Sequence, residues 1–414
     1  MTLRDEALAL HRNNAGKVEI NSKVALVDRQ DLNLAYTPGV AEPCKEIHKD
    51  PDAVYTYTAK GNLVAVVSDG TAVLGLGDIG PAAALPVMEG KSLLFKGFGG
   101  VDAFPVCIAT KQVDEIVAFV KMLEPTIGGV NLEDISAPRC FEIETRLKKE
   151  TSIPIFHDDQ HGTAIVVLAA LVNGLKVIGR PLSEAKIVVN GAGAAGMSTS
   201  LLLFDLGATD LTLCDSRGAI YEGRTEGMNP FKVEISKRSN RRKAKTLAEA
   251  LEGADVFIGL SVAGAVTREM AAKMRKGGIV IAMANPVPEI FPDEARAAGA
   301  AVVGTGRSDF PNQVNNVLAF PGVLRGALDC RASDINEAMK IAAAKAIAGL
   351  IEPHELNAEY IIPGALDRRV APAVAAAVAQ AAMDSGVARI KVDPAQVAAR
   401  TVSLVEKANR KFGQ

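Results

Sequence analysis

Lys186-Ile-Val-Val-Asn-Gly-Ala-Gly-Ala-Ala-Gly196 is the stretch on which the fold turns. Lys186 to Asn190 is a short apolar run suited to a buried strand. Gly191, Gly193 and Gly196 then supply G-x-G-x-x-G, and Met197 to Leu206 reads as a helix. A second apolar run, Leu211-Thr-Leu-Cys214, ends in Asp215. A dinucleotide site needs this order: a tight turn at the first glycine, backbone open to pyrophosphate at the second, and close helix–strand packing at the third. The phosphates then face free N–H groups at a helix N-terminus, here around Ala194 and Ala195. Asp215 is placed to accept from the adenosine ribose. This half of the chain is expected to bind a nicotinamide dinucleotide, NAD or NADP.

Working outward, 414 residues are long for one domain and comfortable for two. Hydrophobic residues make up 48%, enough for a core in each. A net charge of −2 argues against nucleic acid or a membrane surface as the main partner. No uninterrupted apolar run is expected to span a bilayer. The opening Met1-Thr-Leu-Arg-Asp-Glu lacks the layout of a secretion signal. Cys44, Cys107, Cys140, Cys214 and Cys330 form no C-x-x-C, which suits reduced thiols in a cytoplasmic protein.

Before the glycine stretch, strand-like runs alternate with helix-like ones. Leu63–Ser68, Phe104–Ala109, Gly129–Leu132 and Ile153–Phe156 read as strands. Pro81–Phe98, Val113–Leu123 and Pro138–Lys149 read as helices, and an opening helix over 2–12 has Thr2 as its N-cap. Alternation of this kind predicts an α/β fold with a parallel sheet. Thr163 to Leu171 reads as a buried helix leading into the dinucleotide unit. The expected domains are therefore 1–161, carrying substrate and metal, and 162–414, a Rossmann-type domain. In the second, strands are expected near 256–259, 279–283 and 301–304. Beyond Pro321 the chain reads as alanine-rich and helical, with stretches near 333–350, 369–384 and 394–411, and helices within 325–414 are expected to pack on both domains.

Ligands of parallel sheets sit beyond the carboxyl ends of the strands. Two predicted strands end there in paired acids, Glu133-Asp134 and Asp158-Asp159. Gathered carboxylates repel unless a cation or protons neutralise them. Oxygen ligands select Mg²⁺ or Mn²⁺; the alternative is that each acid caps the following helix. His157 and His161 are read as supporting or structural. Ala84, Met88, Lys91, Phe95 and Phe98 share one helix face, so Lys91 interrupts an apolar stripe. Spacing alone favours a lysine whose stem covers the core; the alternative is a desolvated general base. The basic run Lys237–Lys245 reads as a solvated loop, with a counter-charge for the extra phosphate of NADP as the functional alternative.

Taken together, Tyr36-Thr-Pro-Gly-Val40, Ser68-Asp-Gly, Gly75-Leu-Gly-Asp-Ile-Gly80, Glu89-Gly-Lys91, Leu132-Glu-Asp134, Phe156-His-Asp-Asp159 with Gly162-Thr-Ala164, the glycine turn, Ala284-Asn-Pro286 and Asn315-Asn-Val317 before Phe320-Pro-Gly322 resemble the malic enzymes of the short prokaryotic type. The resemblance spans nearly the whole chain. It implies oxidative decarboxylation of L-malate to pyruvate and CO₂ with reduction of NAD⁺ or NADP⁺. Carried over by motif, Glu133, Asp134 and Asp159 hold the divalent metal, and Asp158 orients from beside it. Lys91 takes the C2 hydroxyl proton, and Tyr36 returns a proton to C3. Asn285 and Asn316 contact substrate or nicotinamide. In the larger malic enzymes an arginine after the Asp-Gly turn binds a malate carboxylate; this chain has Asp69-Gly-Thr71-Ala72. Some relatives continue into a phosphotransacetylase-like domain, so a chain ending at Gln414 is a stand-alone enzyme or part of a fusion.

Asp215 favours the free ribose hydroxyls of NAD, while Arg217 and the basic run can offset its repulsion of NADP; the balance leans to NAD. A malolactic or oxaloacetate-decarboxylating enzyme would use the same site. A nucleotide sensor could dispense with Tyr36, Lys91 and the acids, and an amino-acid dehydrogenase would need no metal. A homodimer is expected, with the arm around Tyr36 reaching a neighbouring subunit.

Overall fold

The alternation resolves into two parallel sheets in the computed structural model, which describes residues 2–73 and 75–410. The first sheet has the order β2-β1-β3-β4, from β1 (Leu63–Ser68), β2 (Asp102–Cys107), β3 (Gly129–Leu132) and β4 (Ile155–His157). Val64 to Val67 are wholly buried. Strands covered on both faces need such continuous apolar runs. Val67 pairs with Leu132, and Leu132 with His157. That register brings the residues that follow β1, β3 and β4 out at one edge, and these are the acids.

The Gly80–Gly99 helix crosses from β1 to β2 and buries Ala84, Met88 and Phe95 as its spacing predicts. Full burial of side chains like Met88 and Phe95 is worth roughly 1.5–3 kcal/mol each, enough to fix the helix's rotation over the sheet. Lys91 is thereby turned toward the strand ends.

The second sheet has the order β10-β9-β8-β5-β6-β7, from β5 (Lys186–Asn190), β6 (Asp210–Asp215), β7 (Gly218–Ala219), β8 (Val256–Gly259), β9 (Ile279–Ala282) and β10 (Val302–Thr305). Only the short edge strand β7 is antiparallel. Strand order reverses at β5, between β6 and β8, which is where open α/β sheets bind ligands.

Between the sheets, β4 passes into a π-helical turn, Asp158–Gly162, and then the Thr163–Val177 helix. This apolar stretch has the length to cross a bilayer, yet 72% of its most apolar window is buried inside the protein. Buried Asn173 donates to Ala348 O and Ile361 O, tying this helix to the C-terminal segment.

The alanine-rich end forms helices at Glu337–Ala348, Val370–Asp384 and Pro394–Arg410; residue 411 of the expected last helix lies outside the described residues. Glu337–Ala348 packs on Thr163–Val177, and Pro394–Arg410 packs on Gly80–Gly99. A further helix, Phe320–Asp329, opens the segment expected to be helical beyond Pro321. A Cβ at Gly322 would stand 2.7 Å from Val374 Cβ, and one at Gly326 2.4 Å from Ala375 O. Those two glycines let the Val370–Asp384 helix approach closely.

The N-terminal arm differs from the rest. Its first helix, Leu3–Asn14, has Thr2 as N-cap in a capping box with Asp5. Among residues 2–59 none is buried. Leu3, Leu10, Ile20, Val24, Leu26, Val27, Leu34 and Tyr36 all face solvent in this single chain. Lys17 fastens the arm to the lysine-bearing helix by donating to Pro86 O and Glu89.

Candidate active site

Two adjacent strands deliver the acids. Glu133 and Asp134 follow β3, Asp158 and Asp159 follow β4, and ligand oxygens of Glu133, Asp134 and Asp159 lie within 4.8 Å of one another. Asp134 takes the left-handed region at φ 55°, and its N–H donates to Asp159 Oδ2 at 2.8 Å. Helix capping, the alternative role, does not describe these side chains. No cap hydrogen bond from them opens the helices that follow.

Burial first, and then each other's charge, pushes these carboxyls upward. Asp134 is pushed up to about 9, and Glu133 and Asp158 to about 7. A cluster in that condition favours a cation. Asp134 Oδ2 and Asp158 Oδ1 are buried and accept no hydrogen bond, so lone pairs face inward without a donor. An all-oxygen donor set with orphaned acceptors fits a hard divalent ion such as Mg²⁺ or Mn²⁺.

Lys91 enters this cluster from its helix. Its Nζ lies 2.6 Å from Asp158 Oδ2 and 3.0 Å from Glu133 Oε1, and it stands 4.3 Å from the centre of the Phe320 ring. The amine points inward, so the reading in which it reaches out to water is overturned. Burial pulls its pKa down, but Asp158 and Glu133 outweigh that, and the net direction is up. Lys91 is thus the counter-ion of Asp158 and Glu133.

Asn316, just after the second sheet, donates to the same Asp158 oxygen. Asp158 therefore holds Lys91 and Asn316 together. Asn285 lies beyond β9 at a cis Asn285–Pro286 bond, against Gly306 after β10, with Nδ2 3.4 Å from Met283 O. Both asparagines belong to the second-sheet side of the cleft. Tyr36 is not brought to it: the residue caps the Arg29–Ala35 helix and is 66% exposed, with no side-chain hydrogen bond.

The sequence reading missed several supports. Asn131, a polar residue inside buried β3, donates to Glu133 Oε2 at 2.7 Å. Its presence amid apolar neighbours was the available signal. Arg139 reaches the Asp-Gly turn from the opening of a helix, with Nη1 bonded to Asp69 and Lys111 O, and Nη2 to Thr71 and Ser136. All four Nη hydrogens are spent within the protein, so Arg139 braces the turn. His161 bonds Glu144 at 2.7 Å beneath the acid turn, and His157 is wholly buried, which fits supporting roles.

At the glycine turn each position does separate work. Gly191 has φ 115°, and a Cβ there would fall 2.1 Å from Leu260 O. A Cβ on Gly196 would fall 1.6 Å from Gly191 O, so that glycine permits the close packing. Gly193 has nothing within 4 Å and opens the Ala194–Asp205 helix. That leaves clear space at a helix N-terminus, as pyrophosphate requires.

Asp215 closes β6, but it is already engaged. It accepts from Arg224 Nη2 at 2.8 Å on both oxygens, from Lys232 Nζ at 2.7 Å, and from the Arg217 N–H at 2.9 Å. Burial would raise its pKa, and Lys232 and Arg224 outweigh that and hold it low. Three members of the basic run have other acids: Lys237 pairs with Glu234, Arg238 with Asp205, and Arg242 with Asp210 at the opposite end of β6.

Comparison with known proteins agrees along the chain. The family described as malic enzyme, N-terminal domain, matches residues 15–148, and malic enzyme, NAD binding domain, matches 160–383. The bifunctional malic/malolactic enzyme of Bacillus subtilis is 64% identical over 98% of this chain and 99% of its own. The NAD-dependent malic enzyme of Geobacillus stearothermophilus is 54% identical over 90% of this chain and 78% of its own. The crystal structure of malic enzyme from Pyrococcus horikoshii superposes with a TM-score of 0.95 at 49% identity, covering 99% of this chain and 97% of that one.

Proposed function

The chain belongs to the malic enzyme family, and from that premise we propose that Glu133, Asp134 and Asp159 hold its divalent cation while Lys91 and Tyr36 move its protons. Its reaction is the oxidative decarboxylation of malate to pyruvate and CO₂ with reduction of NAD(P)⁺. When bound, the cation supplies Lewis-acid polarisation at the substrate's C2 oxygen, and the dinucleotide supplies the hydride acceptor.

This chain's residues supply the rest. Lys91 Nζ takes the C2 hydroxyl proton, which it can do only once Asp158 and Glu133 have another counter-charge. Asp158 keeps Lys91 and Asn316 in register across the cleft. Asn316 and Asn285 orient substrate and nicotinamide from the second-sheet side. Tyr36 returns a proton to C3 after CO₂ departs. In a single chain Tyr36 is exposed, within an arm that carries many exposed apolar side chains. The assembly proposed is a homodimer in which that arm covers a neighbouring subunit and delivers Tyr36 to its cleft. Residues 1–161 would form the substrate and metal domain and 162–414 the dinucleotide domain, in a cytoplasmic enzyme with free thiols.

One observation carries the reading: three carboxylates share one small space with a lysine 3.0 Å from Glu133. The test is absorbance of reduced cofactor with malate, with and without Mn²⁺, alongside a pyruvate assay. Metal-dependent absorbance with matching pyruvate supports it, and full activity in excess EDTA overturns it.

A second reading, malolactic turnover, is favoured by the 64% identity to the bifunctional malic/malolactic enzyme of B. subtilis. Lactate formed from malate without net reduced cofactor would establish it.

A further inference from the structure

The corner of the dinucleotide site at the end of β6 carries more cation than its acid can use. An ionised carboxylate offers about four lone-pair positions. Asp215 has its four filled: two contacts from Arg224 Nη2, one from Lys232 Nζ and one from the Arg217 N–H. A ribose diol therefore finds no vacant acceptor there unless it displaces a charged donor. The carboxylate is sequestered, and two cations against one anion leave the corner net positive.

The donors are not spent equally. The Arg224 side chain is buried and held from three directions, with Nε on Glu226 O, Nη1 on Gly218 O and Ala219 O, and Nη2 spanning both oxygens of Asp215. It is a fixed clamp. Lys232 donates to Asp215 and to Gly227 O, which leaves one ammonium hydrogen unpartnered. Arg217 is half exposed and bonded only to the exposed carboxylate of Glu226, an ion pair of a kind that contributes little and is readily exchanged. A Cβ on Gly227 would come within 2.9 Å of Arg217 Cδ, so the glycine gives the arginine room to lie across the corner.

We infer that this corner is built to receive a ribose 2′-phosphate, so that NADP⁺ is the preferred dinucleotide, with Lys232 and Arg217 as the discriminating residues. The inference rests on the dinucleotide site described above. A dianionic phosphate takes the spare Lys232 hydrogen and draws Arg217 from Glu226 as a planar fork. Arg224 keeps Asp215 neutralised, so the acid does not repel the phosphate. The Asp215 position, which usually signals NAD, here organises cations for NADP.

The test measures binding without turnover, so it stays separate from the catalytic reading. Adenosine 2′,5′-bisphosphate and adenosine 5′-diphosphate are titrated calorimetrically into the full chain in the absence of malate and metal. The 2′,5′-bisphosphate is expected to bind about tenfold tighter or more, as two new charge-assisted hydrogen bonds imply. In Lys232→Met, and separately in Arg217→Met, that advantage falls severalfold while binding of the 5′-diphosphate changes little. Arg217 is half exposed, so its variant keeps the fold if Lys232→Met does not. Equal or weaker binding of the 2′,5′-bisphosphate by the native chain overturns the inference. So does a native advantage that survives both substitutions.

Discussion

Lys91 and Asp158 meet at 2.6 Å although they come from the first crossover helix and the turn after the last strand of the first sheet. The contact joins the group expected to move a proton to the edge where the metal-type acids emerge. Asn316 shares the same Asp158 oxygen, so the contact also reaches the second-sheet side of the cleft.

Replacing Lys91 should separate chemistry from binding. In Lys91→Ala, kcat for malate oxidation is expected to fall by about 10²–10⁴, the usual contribution of a positioned acid–base group. Dinucleotide affinity, measured by fluorescence titration, should stay at the native value because Lys91 lies outside the glycine turn. The metal-free variant should also melt lower, since two buried carboxylates lose their cation. Retained kcat would remove Lys91 from the mechanism.

Asp134 gives the sharpest metal test. Its Oδ2 has no donor, and burial, then the neighbouring carboxylates, push its carboxyl up to about 9. Native protein at 100 times the metal's Kd should gain about 2.7 kcal/mol of stability. Asp134→Asn relieves repulsion, so the metal-free variant should melt at or above the native temperature while losing most of the Mn²⁺-induced rise. A full rise in the variant would show that Asp134 is not a ligand.

How legible this was from sequence depended on how local each signal is. Parallel strands buried on both faces announce themselves as unbroken apolar runs, and Val64–Val67 and Ile187–Val189 did so. The acids were legible because each pair directly follows such a run. Lys91 was half legible: spacing gave its helix face, but whether its amine turned outward or inward depended on strand ends distant in the chain. Arg139, 70 residues from Asp69, and Lys232, 17 from Asp215, carry no local mark of their partners. The Phe320–Asp329 helix falls in the segment that reads as helical beyond Pro321, but its limits are blurred by Pro321, Gly322 and Gly326, which lower helix propensity, while Gly322 and Gly326 are what its packing requires.

The glycine turn predicts opposite outcomes for two similar substitutions. Gly193→Ala should fold normally, since its Cβ meets nothing within 4 Å, yet weaken dinucleotide binding about tenfold or more by occupying the pyrophosphate's place. Gly196→Ala should lower the melting temperature even without ligand, because its Cβ would fall 1.6 Å from Gly191 O. Calorimetric titration paired with a melting curve on each variant checks both. Native affinity in Gly193→Ala would displace the phosphates from this turn.

Tyr36 poses the question of whether one chain holds a whole site. Its ring is exposed, and no residue of the arm around it is buried within its own subunit. If the arm completes a neighbour's cleft, Tyr36→Phe and Lys91→Ala each inactivate their own homodimers by removing different halves of the same site. Mixed and allowed to exchange subunits, they form heterodimers in which one cleft joins an intact Lys91 to an intact Tyr36. Random exchange should then restore about a quarter of native activity. The check is the time course of reduced-cofactor absorbance after mixing, with dimer formation followed by light scattering. If Tyr36 acted within its own chain, no combination of the two variants would contain a complete site. Activity would then stay at the sum of the separate preparations however long exchange continued.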